Sequence, residues 1–389
     1  MAKVQRTIGP GQRIRVLIVD DSVVIRQLVT HALESDPALE VAGVAANGSI
    51  ALAKIAQLNP DAVTLDIEMP EMNGLETLRR IRREYPHLRV IMFSTLTERG
   101  ASATLEALAL GADDYVAKAS NEGSLDRSLA RLREELIPKI KQFFAVQSAP
   151  TRAPALAMPL APPARRLATP SIVAIGVSTG GPAALSKIIP QFPADFAVPI
   201  LIVQHMPPLF TKLLADRLND STPLRVREAV EGAIVRPGDI WIAPGDFHMS
   251  AILRGKELRL RLDQGPPENS CRPAVDVLFA SVAAAFGEKV VAVVLTGMGR
   301  DGQCGAAQLK ARGSSVIVQD EASSVVWGMP GSVVHEGLAD AVLPLDEIPA
   351  EVIRRVTGHG GVRPRASHLS APSSTGAGAG RTKEATCPH

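Results

Sequence analysis

Short apolar runs rich in β-branched residues alternate with amphipathic runs over two long stretches of this chain, residues 13–137 and residues 170–357. The first stretch includes IRVLIVD, DAVTLDI and RVIMFST, and the second includes SIVAIGV, PILIVQH and VVAVVLTG. Strands that alternate with helices in this way build βαβ units around a parallel sheet. The pattern therefore predicts two α/β domains, an N-terminal doubly wound (βα)5 domain and a C-terminal domain with a parallel sheet.

The composition changes between and after these stretches. Residues 138–169 are rich in proline and alanine, which predicts an extended linker rather than a third domain. Residues 358–389 are rich in glycine, serine and alanine, a composition typical of a disordered tail. We therefore expect two folded domains joined by a linker and followed by a tail.

The bulk composition argues against several classes of protein. The net charge is +2 and no basic patch follows residue 170, so we expect neither nucleic-acid binding nor a DNA-binding output domain. No uncharged apolar run approaches the roughly 20 residues of a membrane span, so we expect no membrane insertion. The three cysteines have no paired spacing, and the N-terminus lacks the apolar core of a signal peptide. These features predict reduced thiols and a cytoplasmic protein.

Polar residues follow four predicted strands of the first domain. Asp20 and Asp21 end the first strand, Asp66 and Ser94 end two later strands, and Lys118 ends the last. The carboxyl ends of parallel strands form the ligand crevice of a doubly wound sheet. Each acidic residue taken singly has an alternative role as a helix N-cap.

Taken together, these residues favour phosphoryl chemistry. Three carboxylates in one crevice repel each other unless a hard cation binds them, and Mg²⁺ suits such oxygen ligands. An aspartate can then attack a phosphoryl donor and form an acyl phosphate. A lysine and a strand-end hydroxyl would bind the new phosphate oxygens.

The motifs VDDS, LDIEMPEMNG, FST and YVAK resemble those of the response-regulator receiver family. The resemblance implies roles for seven residues: Asp66 as phosphoacceptor, Asp21 as the main acidic Mg²⁺ ligand supported by Asp20 and the Glu68 backbone, Ser94 as switch hydroxyl, Lys118 as phosphate clamp and Tyr115 as rotating aromatic. The chain departs from the family at one point, because Ala119 follows Lys118 where receivers usually have proline. A non-proline cis bond costs about 3 kcal/mol, so this loop is either trans or strained.

In the second domain, GVSTG fits the G-x-S-x-G pattern, in which small residues let a serine sit on a tight turn. Ser178 is then a candidate nucleophile. The pattern alone leaves two alternatives open. A serine before a helix is a good N-cap, and glycine-rich turns of this kind also bind phosphate.

A base and an orienting acid complete a possible triad. His205 closes the predicted strand PILIVQH, which places it near Ser178 if the two strands are neighbours, and His248 is the second choice. Asp301 lies in a glycine-rich turn after another strand and would hold the imidazole in one tautomer. The order Ser…His…Asp differs from that of α/β-hydrolases. A Cys304 thiol nucleophile is the weaker alternative, because small buried thiols are common core residues.

Six motifs resemble the catalytic domain of the chemotaxis-type protein-glutamate methylesterases: GVSTGGP, VQHMPP, IAPGDFHM, CRPAVDVLF, TGMGRDG and VVWGMPG. The resemblance implies Ser178 as nucleophile, His205 as general base and then acid, and Asp301 as its orienting group. It also implies that Thr179 helps to position the histidine and that the Met298 amide donates to the oxyanion.

The two resemblances together imply a phosphorylation-activated enzyme of chemotaxis. It would hydrolyse glutamate γ-methyl esters on methyl-accepting chemotaxis receptors and deamidate certain receptor glutamines, with a chemotaxis histidine kinase as phosphodonor. Mg²⁺ would belong to the first domain, and the ester step would need no cofactor. Two alternatives remain: a non-catalytic, phosphorylation-dependent binding module, and a related methylesterase that serves a receptor system other than chemotaxis.

Overall fold

The computed structural model describes residues 6–9, 12–95, 97–118, 125–146 and 169–358. Its N-terminal domain has a parallel sheet of five strands in the order β3-β2-β4-β5-β6. The strands are β2 (Ile14–Val19), β3 (Leu39–Ala45), β4 (Ala62–Asp66), β5 (Arg89–Ser94) and β6 (Asp114–Ala117). The helices are α1 (Val23–Glu34), α2 (Gly48–Leu58), α3 (Gly74–Glu84), α4 (Glu98–Ala109) and α5 (Leu125–Lys141). The order reverses between β2 and β4, which creates the crevice of a doubly wound sheet, as predicted.

Polar residues other than the predicted aspartates cap the helices of this domain. The side chains of Ser22, Asn47, Asn73 and Thr97 each accept a hydrogen bond from a backbone amide in the first turn of α1, α2, α3 and α4. Such a cap contributes about 1 kcal/mol to helix stability. The strand-end aspartates are therefore not the N-caps, and their carboxylates are left for other contacts.

The N-terminal domain extends past both of the predicted boundaries, 13 and 137. Helix α5 continues through Pro138 to Lys141, and the short strand β7 (Phe144–Val146) pairs in parallel with β1 (Arg6–Ile8). The helix continues because Leu136, Ile140 and Phe143 form a fully buried apolar stripe at helical spacing. Most of the predicted linker and nearly all of the predicted tail lie outside the described residues, as does the Lys118–Ala119 bond.

The C-terminal domain has a parallel sheet of seven strands in the order β10-β11-β9-β8-β14-β15-β16. The strands are β8 (Ile172–Val177), β9 (Ile200–Gln204), β10 (Arg225–Glu228), β11 (Asp239–Ile242), β14 (Val290–Val294), β15 (Ser315–Gln319) and β16 (Ala341–Leu343), with an antiparallel hairpin of β12 (His248–Arg254) and β13 (Glu257–Asp263). The helices are α6 (Gly181–Ile188), α7 (Phe210–Asn219), α8 (Val275–Phe286), α9 (Gln303–Ala311), α10 (Gly328–His335) and α11 (Ile348–Thr357). The predicted parallel α/β architecture is confirmed.

Alternate residues of the central strand β8 belong to two apolar clusters on opposite faces of the sheet. Val173, Ile175 and Val177 lie in one cluster, and Ile172 and Ala174 lie in the other. The strand is buried on both faces, as its continuous apolar sequence predicts. Among the described helices, none is both long and apolar enough to span a bilayer.

The two domains share one apolar cluster. Helix α4 packs against α6 and α7. The cluster includes Leu105 of α4, Tyr115 of β6, and Phe210 and Leu214 of α7. The rings of Tyr115 and Phe210 stack with centroids 4.9 Å apart and an angle of 10° between their planes. The face of the N-terminal domain formed by α4 and β6 therefore lies against the second domain, close to the β8–α6 turn.

Candidate active site and phosphoacceptor pocket

Ser178 lies on a tight turn directly after β8. Its amide donates to the Thr296 carbonyl at 3.0 Å, and the Gln204 side chain donates to the Ser178 carbonyl at 2.9 Å. Gly180 caps α6 with φ +78°, and a Cβ there would lie 2.6 Å from Val325. The turn therefore requires glycine at this position. Because Gly180 is the N-cap, the alternative that Ser178 serves as the cap is wrong.

His205 follows β9, the strand next to β8, and its amide donates to the Val177 carbonyl at 3.2 Å. Its Nε2 lies 2.8 Å from Asp301 Oδ2. The structure thus brings His205 and Asp301 together and places Ser178 at the end of the neighbouring strand. The predicted location of all three residues at the carboxyl edge of the sheet holds.

Asp301 is held by several donors. The amides of Val275, Asp276 and Gly302 donate to its carboxylate at 2.6, 3.0 and 3.0 Å, and Asn269 Nδ2 donates at 3.0 Å. Burial raises the pKa of this carboxyl, but the hydrogen bond from His205 and the backbone donors outweigh it, so the pKa is lowered. Asp301 is therefore ionised and fixed in orientation near neutral pH.

The imidazole of His205 has an altered proton affinity. Burial lowers its pKa, but the hydrogen bonds with Asp301 and Cys271 outweigh burial and raise the pKa to about 9. An imidazole with this pKa carries a proton at neutral pH. His205 must lose that proton before it can act as a general base.

The serine and the histidine do not form the expected hydrogen bond. Within the described residues, the Ser178 hydroxyl makes no hydrogen bond, and His205 Nδ1 lies 3.5 Å from Cys271 Sγ. When Nε2–H donates to Asp301, Nδ1 is the nitrogen left to accept a proton. Catalytic hydrogen bonds are often long or absent in apo structures and tighten in the substrate complex.

Thr179 contacts the N-terminal domain. Its hydroxyl donates to Asp114 Oδ2 at 3.0 Å, and its carbonyl accepts from Thr296 Oγ1 at 2.9 Å. Thr179 is expected to help position His205, but in this structure its hydroxyl contacts Asp114 instead. In contrast, the amides of Met298 and Gly299 donate no hydrogen bond within the part of the chain that the structure describes, so they are available to an oxyanion.

The second candidate base, His248, has a structural position. It is buried, its Nε2 lies 3.0 Å from the Pro266 carbonyl, and its Nδ1 accepts from the Ala274 amide at 3.2 Å. Both ring nitrogens are occupied by backbone groups. His248 is therefore not available as the base.

Three residues of the site were not predicted as such: Asn269, Cys271 and Asp276. Asn269 Nδ2 donates to both Asp301 and Asp276, at 3.0 and 2.9 Å. Burial and the nearby Asp301 charge raise the pKa of Asp276 to about 6. The sequence signal for this group is a polar segment, ENS, followed by the CRPAVDVLF motif, which itself contains Cys271 and Asp276. No spacing rule links it to Asp301, which is about 30 residues away.

The predicted phosphoacceptor pocket lies at the carboxyl edge of the first sheet. Lys118 Nζ lies 2.9 Å from Asp20 Oδ2 and 2.8 Å from Asp66 Oδ2, and Asp21 lies beside them. A cavity of about 270 Å³ opens onto Asp66, Asp21 and Lys118. Burial raises the pKa of Asp66 to about 6, although Lys118 opposes this shift. The Glu68 amide faces Asp66 Oδ1 at 3.4 Å.

The two predicted switch residues lie next to this pocket. Ser94 is 1% exposed, and its hydroxyl bonds with Thr104 Oγ1 at 2.6 Å and with the Gly100 carbonyl at 3.0 Å, both in α4. Tyr115 is buried against Phe210 of the second domain. Ser94 therefore contacts the helix that packs on the second domain, and Tyr115 contacts that domain directly.

Comparison with known proteins matches both domains. Residues 16–130 match the family model described as the response regulator receiver domain, and residues 173–352 match the one described as CheB methylesterase. The protein-glutamate methylesterase/protein-glutamine glutaminase of Trichodesmium erythraeum is 51% identical over 349 residues, covering 88% of this chain and 99% of that protein. The protein of the same name from a Nocardioides species is 53% identical over 357 residues, covering 89% and 96%.

Among solved structures, the chain is similar to the Thermotoga maritima CheB methylesterase catalytic domain, with 47% identity, a TM-score of 0.47, and coverage of 48% of this chain and 99% of that one. The similarity to these two relatives covers nearly their whole length and extends across both domains of this chain. The two family matches also follow each other in the order that the motifs predict. The chain therefore belongs to the family of protein-glutamate methylesterases/protein-glutamine glutaminases, with an N-terminal receiver domain and a C-terminal methylesterase domain.

Proposed function

We propose that this protein hydrolyses glutamate γ-methyl esters on methyl-accepting chemotaxis receptors, and the side-chain amides of certain receptor glutamines, through Ser178, His205 and Asp301. The observation that carries the proposal is the fixed Asp301–His205 pair at the strand end beside the Ser178 turn. A buried carboxylate that orients an imidazole next to a serine is the arrangement that activates a hydroxyl nucleophile.

The reaction would proceed in two halves. Ser178 Oγ attacks the ester carbonyl while His205 takes its proton, and Asp301 stabilises the imidazolium. The tetrahedral oxyanion accepts a hydrogen bond from the Met298 amide. The intermediate expels methanol, or ammonia from a glutamine, with the proton returned by His205. Water then attacks the acyl-enzyme with His205 again as base, which releases the glutamate carboxylate and restores Ser178.

The receiver would supply the control. Asp66 would attack the phosphoryl group of a histidine kinase donor and form an acyl phosphate. Lys118 would then bind a phosphate oxygen, a role its position between Asp20 and Asp66 allows. The resulting acyl phosphate adds charge next to Ser94, the residue that contacts α4.

The residues of the pocket fit Mg²⁺. The carboxylates of Asp20, Asp21 and Asp66 each offer an oxygen within 4.8 Å of the others. The buried Oδ2 atoms of Asp20 and Asp66 each pair with the Lys118 ammonium, at 2.9 and 2.8 Å. Hard oxygen donors of this kind suit Mg²⁺, which we propose is held by these residues and the Glu68 backbone. When bound, the ion would neutralise charge on the transferred phosphoryl group.

In the unphosphorylated protein, the receiver would restrict receptor access to Ser178. The support is its position: Asp114 bonds Thr179, the neighbour of Ser178, and Tyr115 stacks on Phe210. Phosphorylation of Asp66 would draw Ser94 away from Thr104, change the packing of α4 and Tyr115, and shift the population away from this closed arrangement.

The nucleophile is tested by methanol release from methylated receptor membranes. Ser178→Ala should lower the rate by at least about 10³-fold, because loss of the nucleophile removes the covalent route. Ser171→Ala, a serine before β8 and away from the turn, is the matched control and should keep the wild-type rate. Release that survives in Ser178→Ala would move the nucleophile elsewhere. No release from the wild type would favour a binding module or a different receptor.

A further inference from the structure

Cys271 is placed against the histidine of the candidate triad. Its Sγ lies 3.5 Å from His205 Nδ1, whereas Asp301 contacts the other ring nitrogen, Nε2. Cys271 is partly exposed, and the His205 side chain is 11% exposed. The proposed mechanism has no role for this thiol.

The backbone holds Cys271 in this position. The amides and carbonyls of Glu268 and Cys271 exchange hydrogen bonds of 3.0 and 2.9 Å around a tight turn. The two central residues, Asn269 and Ser270, both have left-handed backbone conformations, with φ of 52° and 62°. Such a turn fixes the direction of the chain at its end. A left-handed conformation costs a non-glycine residue free energy, so this conformation persists only where surrounding contacts stabilise it.

The spacing of the two donors matches a tetrahedral metal site. Zinc binds cysteine sulfur at about 2.3 Å and histidine nitrogen at about 2.0–2.1 Å, so two such ligands in tetrahedral geometry lie about 3.5 Å apart. The observed distance between His205 Nδ1 and Cys271 Sγ is 3.5 Å. A cation could therefore bind both atoms with little movement of either side chain.

The environment of the histidine also suits metal binding. Metal-ligating histidines usually donate their other ring N–H to a carboxylate, which fixes the ring and raises its basicity. Asp301 accepts from Nε2 at 2.8 Å and is itself held by three backbone amides. The group that orients His205 for catalysis would orient it equally for a metal.

We propose that His205 Nδ1 and Cys271 Sγ form a binding site for a thiophilic divalent cation of the Zn²⁺ class, and that occupation of this site inhibits the esterase. Binding displaces both the thiol proton and the proton that the imidazolium carries on Nδ1, which are released to solvent, and leaves the other coordination positions to water. The cation takes the Nδ1 lone pair that would accept the serine proton. The inhibitory consequence rests on the proposed function of His205, whereas the cation site does not.

Cobalt spectroscopy on the full-length protein tests the site independently of activity. Co²⁺ bound by a thiolate gives a charge-transfer absorption band that carboxylate ligands do not give. Saturating Mg²⁺ would be present to occupy the receiver carboxylates. We expect the band in the wild type and in Cys304→Ser, the matched cysteine control. We expect it to be absent in Cys271→Ala and in Cys271→Ser, in which a hydroxyl preserves the contact with His205.

The carboxylate behind the histidine gives a second spectroscopic test. Asp301→Asn should weaken Co²⁺ binding by about 10–100-fold, the usual effect of losing such an outer partner. This variant needs no esterase activity for its readout. An unchanged Co²⁺ affinity would contradict the role of Asp301 in the cation site.

Zn²⁺ titration of methanol release tests the consequence. Half-inhibition of Cys271→Ala should require at least about tenfold more Zn²⁺ than half-inhibition of the wild type or Cys304→Ser. Equal sensitivity of Cys271→Ala and wild type would overturn the proposal, as would a charge-transfer band that persists without Cys271 or is missing from the wild type. If the protein lacked esterase activity, the cobalt band and its loss in Cys271→Ala would still decide whether the site exists.

Discussion

At the scale of single residues, the carboxylates behind His205 are the most tightly arranged groups of the active site. Asp301 and Asp276 are both buried, and Asn269 donates to both of them. Two buried carboxylates repel each other, and the amide between them reduces that repulsion. The sequence predicts Asp301 because it follows a strand. It does not predict Asn269 or Cys271, because their loop has no periodicity and their partners are distant in sequence.

Removal of the shared donor should impair catalysis. Asn269→Ala leaves Asp301 with its backbone donors and His205, and places it beside a less shielded Asp276. A hydrogen bond to a charged group contributes about 1.5–3 kcal/mol, so we expect methanol release to fall by about tenfold or more. Ser270→Ala, at the next position of the same turn, is the control. Equal rates in Asn269→Ala and the control would show that Asn269 does not position Asp301.

The pH dependence of the reaction should reflect the raised pKa of His205. The base acts when neutral, so kcat/KM should rise with pH and reach half its maximum near pH 9 rather than near 6.5, the ordinary histidine value. Cys271→Ala removes one of the contacts that raise this pKa, and its midpoint should move to lower pH. Cys304→Ser should keep the wild-type midpoint. A wild-type midpoint near 6.5 would contradict this description of His205.

At the scale of secondary structure, helix α4 and strand β6 connect the two sites. Ser94, at the end of β5, bonds to Thr104 of α4, and Tyr115 of β6 stacks on Phe210 of α7. The strands that carry these sites are predictable because each is a short, continuous apolar run, and the polar residue that follows the run marks its end. The surface through which the two domains contact each other is not predictable from the sequence, because an apolar helix face does not identify the element that packs on it. The predicted boundary at residue 137 also lies too early, because α5 continues through Pro138 to Lys141. Tertiary packing of the buried apolar residues around this proline stabilises the helix, and the sequence alone does not show that packing.

The stacked rings should hold the closed arrangement. Tyr115→Ala removes the stack, and aromatic pairs contribute about 0.5–1.5 kcal/mol beyond the area they bury. We expect methanol release without phosphodonor to rise by about 2–10-fold, the corresponding population shift. Tyr115→Phe keeps the ring and should keep the low rate. A rate that falls or stays constant in Tyr115→Ala would mean that this contact does not restrict the active site.

At the scale of the whole molecule, one continuous apolar cluster extends across the domain that carries the predicted phosphoacceptor pocket and the domain that carries the candidate esterase site. The sequence predicts both domains and both sets of polar strand ends, because each domain carries its own motifs. It cannot predict that Asp114 of the receiver bonds Thr179 beside Ser178, since that contact depends on how two folded surfaces fit. This contact is the basis for the proposed coupling of phosphorylation to ester hydrolysis.

The most direct test of that coupling is methanol release from methylated receptor membranes with and without acetyl phosphate and Mg²⁺, for the wild type and for Asp66→Asn. Acetyl phosphate should raise the rate of the wild type and leave the rate of Asp66→Asn at the basal level. Stimulation of both proteins, or of neither, would contradict the claim that phosphorylation of Asp66 opens the Ser178 site.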